Sequence, residues 1–61
     1  MKKGDKFLRI NPYFSKKEYY TYTGVIREIK EVSYHFFTDE KGETVLFTPF
    51  EVDKEFRKIR N

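Results

Sequence analysis

The chain is 61 residues long, lacks cysteine, is 20% aromatic and 38% charged, and carries a formal charge of +3. That length holds one domain, residues 1–61, burying only about 60% of its unfolded surface. The absence of cysteine excludes a disulfide framework and a thiolate nucleophile, and the lone His35 excludes a histidine pair or cluster.

Seven Phe and five Tyr dominate the apolar residues, with no Trp. Each such ring buries roughly 150–250 Å², so a few can fill a small core. This content argues against disorder despite a mean hydropathy of −0.83. Near the start, Asp5, Lys6 and Arg9 interrupt any apolar stretch that could follow Lys2 and Lys3 as a targeting signal. No apolar run reaches the ~18 residues of a membrane-spanning helix. The expectation is a soluble cytoplasmic protein with no membrane partner.

In chain order, Lys6–Ile10 reads as a first strand, opened by Gly4-Asp5 and closed by Asn11-Pro12. Tyr13–Glu18 reads as an irregular loop. A long second strand is expected from about Tyr19 to Glu31, with Tyr20 and Tyr22 in one phase and Val25 and Ile29 in the other. Gly24 sits at the phase switch, which predicts a bulge or bend. A third strand is expected over 32–38, with Val32, Tyr34 and Phe36 alternating against Ser33, His35 and Phe37. That alternation puts His35 on the solvent face and makes Phe37 a candidate for exposure. Asp39-Glu40-Lys41-Gly42 has the chemistry of a type I turn ending in a glycine bulge. The fourth strand, Glu43–Thr48, places Val45 and Phe47 on one face.

Thr48-Pro49-Phe50-Glu51 fits a capping box with proline at the first helical position. Val52, Phe56 and Ile59 then share one helical face, predicting a short helix over about 49–59. The competing reading is one helical turn at 49–53 followed by a last strand at about 55–59.

The pattern is mainly β: four to five short antiparallel strands with a bent second strand and a short C-terminal helix or helical turn. It resembles the SH3-like small β-barrels of KOW and Tudor-type modules. The residues that carry the resemblance are Gly4-Asp5, Gly24-Val25-Ile26 with Ile29, the Asp39–Gly42 hairpin and the Phe50–Val52 turn. A meander followed by a helix also looks like chromodomain-type folds and small archaeal chromatin proteins.

Charge is segregated. Residues 1–17 hold six cations and one acid, residues 18–53 three cations and eight acids, and residues 54–61 four cations and one acid. The SH3-like resemblance implies that the first and last strands are neighbours, which would merge the two basic ends into one face. A helix at the end could instead carry its cations away from Lys6 and Arg9.

Nothing in the chain suggests catalysis. His35 has no thiol partner, Ser15 and Ser33 lack a nucleophile signature, and Asp39-Glu40 lie at a turn tip. Three dispersed glycines make no phosphate loop, and no cofactor or metal is expected. The informative feature is the stretch Tyr13, Phe14, Lys16, Lys17, Tyr19, Tyr20 and Tyr22. Rings that stack on bases, interleaved with cations that track phosphates, are what single-stranded nucleic acid requires. The expected function is a non-enzymatic DNA- or RNA-binding module. Its phosphate contacts would be Lys2, Lys3, Lys6, Arg9, Lys16, Lys17, Arg57, Lys58 and Arg60, and its stacking rings Tyr13, Tyr19 and Tyr20. The alternative is a protein-interaction module, a small adaptor or inhibitor of the kind mobile elements encode, with loop 11–18 and the exposed rings as its groove and the acidic middle as support. Exposed strand edges also allow self-association.

Overall fold

Lys6–Ile10 forms β1, Lys17–Ile29 β2, Val32–Thr38 β3, Thr44–Phe47 β4, Pro49–Glu55 the helix α1, and Phe56–Lys58 β5. These elements come from a computed structural model that describes residues 1–59. All five strands lie in one open antiparallel sheet, ordered β4-β3-β2-β1-β5. The pairing of β4 with β5 that would close a barrel is absent among the described residues. No described helix is long and apolar enough to cross a membrane.

The sheet is nonetheless strongly curled. In a flat sheet β4 and β5 would stand about 19 Å apart, four strand spacings. The rings of Phe47 on β4 and Phe56 on β5 instead meet with centroids 4.9 Å apart. Phe37 on β3 also reaches Phe56 at 4.9 Å. The bend that permits this sits where the sequence put it, at Gly24. Its φ is +84°, and the β2–β3 register shifts between Tyr22 and Ile26. Thr23 bridges the irregularity, its hydroxyl donating to the Phe36 carbonyl over 2.8 Å.

The core lies on the concave side and is wholly aromatic in its buried part: Phe7, Tyr22, Phe37, Phe47 and Phe56, with Tyr20, Val45 and Val52 packed against it. Tyr20, Tyr22, Val45 and Phe47 follow the phases read from the sequence. Phe37 does not. It is the most buried residue, 0% exposed, and takes the inward position across from Tyr22 and Val45. His35 shares that phase and turns toward Tyr22, with Nδ1 3.2 Å from the phenol oxygen, so the expected solvent position is corrected. Alternation groups His35 with Phe37; the curl decides which group faces in.

Two boundaries also change. β2 begins earlier than expected and ends at Ile29. Lys30 and Glu31 make the two-residue turn into β3, both with positive φ, as a type I′ turn requires. The capping box forms, with Thr48 Oγ1 accepting from the Glu51 amide and Glu51 Oε1 accepting from the Thr48 amide. The helix stops at Glu55, because from Phe56 the backbone pairs with β1, with Arg9 opposite Phe56 and Phe7 opposite Lys58. The helical-turn-then-strand reading is therefore the nearer one. A strand here satisfies the free edge of β1 and delivers Phe56 to the core.

Candidate nucleic-acid interface

The two basic ends of the chain are brought together, since β5 lies against β1. Pairing also sorts their side chains between faces, because residues directly opposite on neighbouring strands share a face. Arg57, Leu8 and Tyr19 form one row across β5, β1 and β2 on the convex side, away from the core. Phe7 and Tyr20 form the adjacent row on the concave side.

Around Tyr19, which is 43% exposed, lie two adjoining shallow clefts. Lys16, Lys17, Glu18 and Lys41 line one, and Lys6, Thr21 and Ile59 the other, while Tyr19, Tyr20, Asp39 and Glu40 belong to both. A groove thus runs past Tyr19 between the β1–β2 side, which supplies Lys6, Lys16, Lys17 and Glu18, and the turn that supplies Asp39, Glu40 and Lys41. Acidity at that turn is the feature that the sequence reading of a basic face did not include.

Several expected contacts are turned elsewhere. Arg9 lies on the concave side with only 11% of its side chain exposed. Its guanidinium donates to Glu18 and Glu55, each at 2.7 Å, and sits 5.0 Å from the centroid of Phe47. Burial disfavours its charge, but the hydrogen bonds to Glu18 and Glu55 outweigh that and raise its pKa. Tyr20 packs against Phe47 and Phe56, and its hydroxyl donates to Glu18. Burial, then the Glu18 bond, pushes that phenol upward. Neither group is free to meet a ligand. Lys58 faces the concave side and pairs with Asp5 at 3.4 Å. Arg60 lies outside the described residues.

The remaining cations are left available. Lys2 and Lys3 belong to a turn in which the Lys2 amide donates to Asp5 and the Gly4 amide to the Tyr22 carbonyl. That turn lies over β2 at Gly24, where an added Cβ would meet Lys3 Cβ at 3.0 Å. The hydrogen bond from Lys2, against the cost of burial, holds the Asp5 carboxyl below its usual pKa. Lys6, Lys16, Lys17 and Arg57 are exposed, and like Lys2 and Lys3 they enter no ion pair among the described residues.

The loop between β1 and β2 presents Tyr13 and Phe14, 85% and 77% exposed. Phe14 belonged to the aromatic–basic stretch singled out in the sequence but was left out of the expected stacking rings. Among the described residues no group of three or more His, Asp or Glu side chains could hold a metal ion. Comparison with family models, curated proteins and solved structures gives no match to this chain.

Proposed function

We propose that this protein is a non-enzymatic nucleic-acid-binding module built on an SH3-like small barrel. The strand order, with β5 returning to β1, and the curl that brings Phe47 to Phe56 support the fold assignment. One observation carries the function. Asp5, Glu18 and Glu55, the acids beside β1, are all engaged by Lys58 and Arg9. These two cations offset two of the three negative charges and hold all three carboxylates on the concave side, while Lys2, Lys3, Lys6, Lys16, Lys17 and Arg57 enter no ion pair among the described residues and are left for phosphates. Tyr19 adds a half-exposed ring between Lys6 and Lys17.

The test is a fluorescence anisotropy titration against DNA and RNA across a salt series. Each phosphate contact adds about 0.7–0.9 to the slope of log K against log salt. Replacing both Lys16 and Lys17 by Gln should reduce that slope by about 1.4–1.8. Absence of binding at about 50 mM salt overturns the reading.

The Asp39–Glu40 wall of the groove favours a second reading, a protein partner, because that edge repels phosphate. Phe50, exposed on α1, extends the apolar surface available to such a partner. Capture of one protein from lysate, surviving nuclease treatment and lost on Tyr19→Ala, would favour it.

A further inference from the structure

The loop between β1 and β2 is held by a single residue. Asn11 Oδ1 accepts from the amides of Tyr13 and Phe14 at 2.9 and 3.3 Å, and its own amide donates to the Lys16 carbonyl at 2.9 Å. Its carbonyl accepts from the Ser15 amide at 2.9 Å, and its Nδ2 donates to Glu18, which Arg9 also holds. Ser15 takes a φ of 51° to close the circuit. So much local bonding fixes a backbone, and it normally accompanies side chains that pack. Here the two largest side chains of the loop bury almost nothing. Ordering a segment costs about 1–2 kcal/mol per residue, and two exposed rings return none of it to the fold.

We infer, resting on the nucleic-acid reading, that the ligand is single-stranded and that unpaired bases stack on Tyr13 and Phe14, with Asn11 as the positioning residue and Lys16 and Lys17 on the neighbouring phosphates. Bases inside a duplex already stack on one another and offer no free face to a protruding ring, whereas unpaired bases do. Fixing the rings in advance removes the ordering cost at the moment of binding. Lys16 and Lys17 follow the rings after Ser15 and are exposed, which supplies charge complementarity to a backbone running past the loop.

The test compares a short labelled single strand with its duplex, in separate DNA and RNA arms, using the full chain at about 50 mM salt. Single strands should bind roughly tenfold or more tightly than the duplex, and whichever arm binds better identifies the sugar. The double variant Tyr13→Ala/Phe14→Ala should weaken single-strand binding by roughly 30-fold or more, with duplex affinity and unfolding midpoint unchanged. Tyr13→Phe, which keeps the ring, should bind as the parent does, and Asn11→Ala should lose affinity without changing the salt slope. Equal affinity for strand and duplex, or a double variant that binds single strands like the parent, overturns this inference and leaves the nucleic-acid reading standing. Failure of every nucleic acid to bind overturns both.

Discussion

Arg9 and Glu55 stand 46 positions apart in sequence, and Arg9 Nε donates to Glu55 Oε1 over 2.7 Å. With Glu18 on the other side of the same guanidinium, this triad ties β1, β2 and the end of α1 together beneath Phe47. Arg9→Met would take the guanidinium from beside Phe47 and strand two half-buried carboxylates. The expected loss is about 2–3 kcal/mol, below that of a fully buried pair. Adding Glu18→Gln and Glu55→Gln should recover part of it. Urea unfolding of the three variants decides; a phosphate-binding Arg9 would instead cost affinity at unchanged stability.

Phe37 meets Phe7, Tyr20, Tyr22, Phe47 and Phe56, the only ring to touch all the others of the core. Phe37→Ala should cost about 3–5 kcal/mol. For a domain this small that is most of the stability. Phe36→Ala, one position along on the convex side, should cost clearly less. Equal losses in thermal unfolding would contradict the burial of Phe37.

Backbone strain predicts opposite signs at two sites. Gly24→Ala introduces a Cβ at φ +84° and 3.0 Å from Lys3 Cβ, and should destabilise by about 1–2 kcal/mol. Lys30 and Glu31 already bear positive φ of 50° and 68° without being glycine or asparagine. Replacing the pair by Asn-Gly should stabilise by about 0.5–1 kcal/mol. Chemical denaturation midpoints should move down in the first case and up in the second.

Stability should fall in two steps as pH is lowered. Burial, aided by the N-terminal charge, holds the His35 imidazole below its ordinary value of 6.5, so the folded state prefers it neutral. Its contribution is complete above 6.5 and falls as pH drops below that value, where the unfolded state takes up the proton first. For Glu18, burial opposes ionisation, but hydrogen bonds from Asn11, Arg9 and Tyr20 prevail and keep its pKa below 4.5. Its contribution is complete above 4.5 and falls as pH drops beneath that. In a series of melting temperatures against pH, His35→Gln should remove the first decline and leave the second.

The sequence by itself determined the local structure. Alternation put Tyr20 with Tyr22 and Val45 with Phe47, Gly24 marked the bend, Asp39–Gly42 the hairpin, and Thr48 with Glu51 the helix start. Each rests on a period or a turn chemistry confined to a few neighbouring residues. The tertiary structure decided the rest. Period two separates Phe36 from Phe37 but is indifferent to which one faces inward; the curl of the sheet made that choice. The free edge of β1 turned residues 56–58 from helix to strand. It also decided which charges remain for a partner, because a cation is available only when no carboxylate reaches it. For Arg9 that carboxylate comes from the far end of the chain, where no local pattern could announce it.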